Sequence, residues 1–291
     1  MNRLFVWLQY LLPQHTLSRI VHRASRVRTR WFKDALIRGF IRAFGVDMSE
    51  AVESNAGAYE HFNAFFTRAL VPGARPLPDS PRDIACPVDG TVSMTGTVTG
   101  STLLQAKDRR YRLADLLGDD GMAREFDGGA FATLYLAPYD YHRIHMPLDG
   151  RLTHMRYVPG RLFSVNAATV CSVPRLFARN ERVVCRFETP AGAMVMVLVG
   201  ALNVGSIETV WAGEVAPARP RRGHAETYTG DVVLRRGEEM GRFNMGSTVI
   251  VVFEPDRARL ADGLSPMVAV RMGATMGEST RMAGQHSSEA T

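Results

Sequence analysis

Between residues 4 and 44 apolar side chains return at helical spacing. Leu4–Leu12 is an almost unbroken apolar run. Leu17, Ile20, Val21 and Ala24, then Phe32, Leu36, Phe40, Ile41 and Phe44, recur every three or four positions with arginines between them. The pattern predicts amphipathic helices, and it continues to about residue 70 through Ala58–Leu70. The segment 71–81, VPGARPLPDSP, holds four prolines and a glycine and reads as a linker or wrapped loop. From Ile84 onward the texture changes. Short apolar or alternating runs such as Ala130–Leu136, Arg182–Phe187, Ala193–Leu202 and Thr248–Phe253 are bounded by Gly, Pro and Asp-Gly, and these predict strands. Only Leu103–Leu117 suggests a further helix of any length. The expected fold is α+β: a mostly antiparallel β core domain over 71–260, preceded by a helical region over 1–70. Residues 261–291 are polar and aperiodic and are expected to form a disordered tail. One weak internal echo, Pro87–Val92 (PVDGTV) against Pro147–Leu152 (PLDGRL), fits either two related β units or a common hairpin corner met twice.

Charge sharpens the reading of the arm. Residues 1–43 carry nine arginines and lysines against one aspartate, whereas the whole chain has a net charge of +6, so the basicity belongs to the arm rather than to the β body. A basic arm suits nucleic acid or an anionic membrane surface. The run Leu4–Leu12 is too apolar for a nucleic-acid arm and too short to span a bilayer, which takes about 20 apolar residues. Pro13 and a basic stretch stand where a signal peptide would need its small-residue cleavage site. Membrane-surface association is therefore expected, with a helical arm packed on its own domain as the alternative. Three cysteines, Cys86, Cys171 and Cys185, form an odd set without metal-like spacing and point to a reducing compartment.

Three groups could carry chemistry. His142 and His145 lie among tyrosines and an arginine in YDYHRIHMP, 139–147, and look like acid/base groups at a pocket rim. A zinc site there would need further ligands such as Asp140, Asp149 or His154, and neither a cysteine pair nor HExxH accompanies them, so no metal is expected. Asp89 in PVDGT reads, taken alone, as a turn-former. Ser247, in RFNMGSTVIVVF, could be a nucleophile given a base and an orienting carboxylate, but spacing alone favours a hairpin corner.

Seen together, FFTRALVPGARPLP, PVDGTV, YDYHRIHMPLDG, YVPGRLFSVN, LFARNERVV, VGSIETVWAGEV and GRFNMGSTVIVVFE resemble, in this order and spacing from about residue 58 to 255, the phosphatidylserine decarboxylases of prokaryotic type. The family's usual leucine before Gly-Ser-Thr is Met245 here, a residue of similar volume. The resemblance implies a zymogen that cuts itself between Gly246 and Ser247. Its β chain, 1–246, and α chain, 247–291, stay associated, and Ser247 becomes a pyruvoyl group, the enzyme's only cofactor. That group forms a Schiff base with phosphatidylserine, and loss of CO2 leaves phosphatidylethanolamine. The resemblance also implies that Asp89, His145 and Ser247 form the relay that drives cleavage, with Asp140 as an auxiliary carboxylate. His142 is the candidate for returning a proton after decarboxylation, and Phe163, Ser164 and Asn166 are candidate lining of the substrate pocket. The expected partner is phosphatidylserine in an anionic membrane rather than nucleic acid. The expected location is the cytoplasmic face of a bacterial inner membrane, as a peripheral protein; oligomeric state, a homodimer included, is left open. Two rival readings remain at this point: a Ser-His-Asp hydrolase that does not cleave itself, and a non-enzymatic membrane-anchored β module.

Overall fold

The run Ser247–Phe253 is apolar on both faces because it forms the middle of the largest sheet, where a strand is covered on either side. It pairs antiparallel with Gly192–Val199 on one edge and with Ala130–Leu136 on the other. Val249, Val251 and Phe253 belong to one core cluster, Ile250 and Val252 to a second, as the two-residue repeat of a strand requires. The computed structural model describes residues 2–106, 109–202, 206–216, 223–228, 231–245 and 247–280.

Across this sheet the strands run in the order His224–Thr227, Gly150–Val158, Arg182–Thr189, Gly192–Val199, Ser247–Phe253, Ala130–Leu136, Gly90–Thr97 and Ala269–Val270. Every pairing between these strands is antiparallel. One face packs on a smaller sheet made of Gly213–Ala216, Ser206–Thr209, Glu239–Asn244 and Arg143–His145, through Ile144, Ile207, Met240 and Phe243. The other face is covered by short helices that contribute Leu116, Val170, Leu176 and Phe177.

The N-terminal region forms α1, Asn2–Leu11, α2, Gln14–Ala24, and α3, Arg30–Phe44, and then a short α4, Phe62–Phe66. Gly45, at φ +64°, closes α3 in the left-handed conformation that favours glycine. Ile37, Tyr59, Phe62, Phe65 and Phe66 form a third core cluster, against which Met245 packs. The arm is tied to the β body by two buried glutamines. Gln9 accepts the backbone N–H of Ser164 at 2.8 Å, and Gln14 accepts that of Leu162 at 2.9 Å. Trp7, Leu11, Ile20 and Trp31 are left more than half exposed. Among the described residues no helix is long and apolar enough to cross a membrane.

Three expectations change. The stretch Leu103–Leu117 is a hairpin, Thr102–Ala106 with Arg109–Arg112, followed by a single helical turn or so at Leu113–Leu117. Helical pattern between residues 58 and 70 yields only α4. Residues 261–280 are not a disordered tail. Ala269–Val270 joins the edge of the large sheet, and Thr275–Ser279 is the middle strand of a three-stranded sheet between Asp83–Ala85 and Ala258–Leu260. These strands are two to five residues long and are held by partners far away in sequence, so no local periodicity announces them. The remainder of the expected tail, 281–291, lies outside the described residues.

Candidate active site

Register brings the sequence candidates to one end of the large sheet. Ser247 is paired with Leu136, and Tyr135, one residue earlier, is paired with Thr91 on the next strand. Asp89 therefore stands two strands from Ser247, on the order of 10 Å at normal strand spacing. Gly90 makes this approach possible, because a Cβ there would come within 2.3 Å of the Tyr135 carbonyl oxygen. Gly246 and the side chain of Ser247 lie outside the described residues.

The chain entering this point is held firmly. Asn244 is buried, accepts Asn63 Nδ2 at 2.9 Å and donates to Ser206 Oγ at 2.6 Å. The next residue, Met245, has φ +95°, a left-handed value that costs a non-glycine residue about 1–3 kcal/mol. Backbone strain thus sits one residue before the expected scissile bond.

Beside Met245 lies an apolar cavity of about 210 Å³, lined by Phe40, Phe44, Phe66, Leu136, Ser164 and Asn166 among others. Ser164 and Asn166 thus face the cavity, whereas Phe163 is buried in the core behind it with its ring 4.9 Å from that of Tyr10. Asn166 also caps the helix Ala167–Ser172 by accepting the Thr169 N–H at 3.0 Å.

His142 is wholly buried, with its ring 4.0 Å from that of Phe66. Nδ1 donates to the Asp140 carbonyl at 2.8 Å; a carbonyl can only accept, so the proton sits on Nδ1. Nε2 is left as a lone pair with no partner among the described residues. Burial, the largest cause, pushes the imidazole down to about 3, so it is neutral at physiological pH. Its backbone carbonyl accepts from Phe243, two residues before Met245.

His145 is placed otherwise. Nδ1 donates to the Gly237 carbonyl at 2.8 Å, and Nε2 accepts the Tyr141 hydroxyl at 3.0 Å. Burial lowers its pKa as well. Its backbone N–H reaches the Pro87 carbonyl at 2.9 Å, which brings it near Asp89 along the chain. The Asp89 carboxylate does not bond to it. Arg75 grips both Asp89 oxygens, with Nη2 to Oδ2 at 2.6 Å and Nε to Oδ1 at 2.9 Å, and Met272 N–H adds a third contact at 2.8 Å. A guanidinium fork outcompetes a neutral imidazole for a carboxylate. In this structure Asp89 and His145 therefore lie near one another without sharing a hydrogen bond.

Asp140 accepts the Ala137 N–H at 2.7 Å, next to the Leu136 that pairs with Ser247, and burial pushes its carboxyl up to about 6. Among the described residues no three His, Cys, Asp or Glu side chains converge to hold a metal. Pro138 lines the apolar cavity, and the residues after it, Tyr139 to Tyr141, line a polar one of about 260 Å³ together with Arg68, Arg75 and Asp89 among others. Sequence reasoning did not single out Arg75, Tyr141 or Arg68. The signal for Arg75 was a charged residue inside a proline-rich loop.

A family model described as phosphatidylserine decarboxylase matches residues 62–278, and a second, described as PSD, matches residues 4–45. Relatives named phosphatidylserine decarboxylase proenzyme include one from Methylococcus capsulatus, 53% identical over 94% of this chain and 96% of its own. Another, from Pseudomonas putida strain GB-1, is 53% identical over 95% of this chain and 98% of its own. A third, from Alkalilimnicola ehrlichii, is 54% identical over 92% and 93% respectively. Likeness of this extent, through the arm and the β body alike, means that this chain belongs to the phosphatidylserine decarboxylase family.

Proposed function

We propose that the chain matures by cutting itself between Gly246 and Ser247, and that the mature protein converts phosphatidylserine to phosphatidylethanolamine and CO2. The observation that carries this reading is the buried His142 ring, 4.0 Å behind Phe66 of the apolar cavity that Leu136, the partner of Ser247, also lines, with an Nε2 that has no partner among the described residues.

In the cleavage step the Ser247 hydroxyl attacks the Gly246 carbonyl carbon, the C–N bond breaks and the freed nitrogen takes up the hydroxyl proton. Loss of the Ser247 α-proton then breaks the Cβ–O bond and releases Gly246 as a carboxylate. Water finally replaces the nitrogen, which leaves as ammonia. His145 is the base for this sequence through Nε2, once Tyr141 yields that position. The positive φ of Met245 favours the reaction by raising the energy of the intact chain.

The pyruvoyl group so made would supply a ketone that condenses with the substrate amine and draws electrons as CO2 leaves. The cavity beside Leu136 suits such a group: Leu136, Phe66 and Met245 keep water from a ketone, with Ser164 and Asn166 in the wall and the His142 ring behind Phe66 as polar groups at hand. His142 Nε2 is assigned the return of a proton to the carbon that has lost CO2, the acid role expected from sequence. The basic, aromatic arm holds the cavity at an anionic surface, which we assign to the cytoplasmic leaflet of a bacterial inner membrane. Decarboxylation of vesicle-borne phosphatidylserine by purified protein, followed as released CO2, tests the reading. His142→Ala should self-cleave yet lose activity by more than a hundredfold, and a fully active His142→Ala protein would overturn it.

A further inference from the structure

Arg68 follows α4 by two residues and is 5% exposed, yet among the described residues it takes part in no ion pair. Its contacts are one 3.3 Å hydrogen bond from Nη2 to the Tyr139 carbonyl and the face of Phe65, 5.6 Å away. Nε has no partner. The other buried arginines are treated differently. Arg182 spends its guanidinium on the carbonyls of Asp115, Leu116, Ala178 and Asn180, and Arg75 is clasped by Asp89 and Glu50. A buried guanidinium with no carboxylate in contact is costly, and a fold keeps one where an anion comes to meet it.

That anion has room. Arg68 lines the polar cavity of about 260 Å³ together with Arg75 and Arg271; of its carboxylates, Asp89 and Glu50 are taken by Arg75, and Asp47 acts on Arg68 from a distance without forming an ion pair. Asp140, also in the cavity wall, accepts the Ala137 N–H and likewise makes no ion pair with Arg68. Two residues before Arg68, Phe66 lines the apolar cavity. The end of one short helix thus offers an apolar wall and a bare guanidinium in succession, the order of apolar and charged parts in a phospholipid.

We propose that Arg68 is the binding residue for the phosphodiester of the lipid headgroup. This rests on phosphatidylserine being the substrate. The phosphodiester suits Arg68 better than the serine carboxylate does. A carboxylate paired with arginine is stabilised in the ground state and loses that stabilisation as CO2 departs, which would slow the reaction. A phosphodiester keeps its charge throughout, so Arg68 binds substrate and transition state alike and acts on KM.

Ser247→Ala chains, which stay uncleaved, allow binding to be read apart from catalysis. Titration calorimetry with glycerophosphoserine, inorganic phosphate and serine methyl ester should show glycerophosphoserine binding tightest. Arg68→Met should weaken it by about tenfold or more, and Arg68→Lys, which keeps the charge but loses the fork, by a smaller factor. Serine methyl ester should be insensitive to both. In cleaved protein Arg68→Lys should raise KM for phosphatidylserine several-fold, with kcat changed far less. Glycerophosphoserine binding unaffected by Arg68→Lys and Arg68→Met, equal losses for the ester, or inorganic phosphate binding as tightly as glycerophosphoserine would each overturn the assignment. Should Arg68→Met fail to fold by circular dichroism, Arg68→Lys decides alone. A chain that never decarboxylates but binds glycerophosphoserine through Arg68 would sink the proposed function and keep the site. A decarboxylase whose binding ignores Arg68 would do the reverse.

Discussion

The Tyr141 hydroxyl lies 3.0 Å from Nε2 of His145 and fills the one ring nitrogen through which that histidine can accept a proton, because Nδ1 is committed to the Gly237 carbonyl. Burial raises the Tyr141 pKa to about 12, so the phenol remains a donor at neutral pH. The hydroxyl therefore competes with Ser247 for the base. Tyr141→Phe should shorten the half-time of self-cleavage by roughly twofold to tenfold, in line with loss of one hydrogen bond, while His145→Gln should abolish cleavage. Gel-resolved time courses of freshly translated chain measure both, and slower cleavage in Tyr141→Phe would instead make the tyrosine a relay.

Arg75 joins three parts of the molecule. It binds Asp89 of the β body and Glu50 of the helical region from within the proline-rich loop. Arg75→Met leaves Asp89 with the Met272 N–H and Glu50 with exposed Arg271, and should cost about 1–3 kcal/mol, as losing hydrogen bonds to a charged group does. Replacing Asp89 by Asn in the same chain should recover part of the loss. Urea unfolding on a Ser247→Ala background measures this without interference from cleavage.

Much of the β body was legible because β-branched runs such as Thr248–Phe253 and Ala193–Leu202 are buried on both faces and have little choice but to be central strands. The hairpin at Thr102–Arg112 was not, since Leu103, Leu104, Leu113, Leu116 and Leu117 satisfy helical spacing while the long-range contacts that decide the matter leave no local trace. The site divides in the same way. His142, His145, Asp89 and Ser247 were readable as residue types in recognisable segments. The partners they choose were not. Arg75 takes Asp89, and Tyr141 takes His145, through loops that pattern reading treats as connectors.

Two buried groups give stability opposite dependences on pH. Asp140 has its folded pKa raised to about 6 from 3.8, so its favourable contribution is complete below 3.8 and is lost as pH rises through 6. Asp140→Asn should therefore stabilise the uncleaved chain at pH 7 by about 1 kcal/mol, a value discounted for its partial exposure, and not at pH 3.5. His142 has its folded pKa lowered to about 3 from 6.5, so its contribution is complete above 6.5 and is lost as pH falls toward 3. His142→Gln should flatten that acid limb. Thermal melts between pH 3.5 and 7.5 check both, and parallel curves for wild type and variants would contradict the assignments.

Trp7, Leu11 and Trp31 of the arm are exposed and are the side chains that the proposed function turns to the membrane, whereas Arg26 and Arg28 are engaged with Glu214 and Glu60. Changing Trp7, Leu11 and Trp31 together to Ser should lower partition onto anionic vesicles by more than about tenfold, given about 1.5–3 kcal/mol for each large apolar side chain fully buried. Reversing the charge of exposed Arg23 should weaken binding mainly at low salt. Co-sedimentation unchanged in the triple variant would remove the arm from the membrane account.

The central claim is that Gly246–Ser247 is a bond this chain breaks by its own chemistry. Intact-mass measurement of purified wild-type protein beside Ser247→Ala tests it most directly. The account predicts two wild-type chains whose masses sum to that of the 32.2 kDa precursor plus one water and less one ammonia, with the smaller chain blocked at its N-terminus, and a single uncleaved chain for Ser247→Ala. An intact wild-type chain, or two chains summing to simple hydrolysis with a free N-terminal serine, would contradict it.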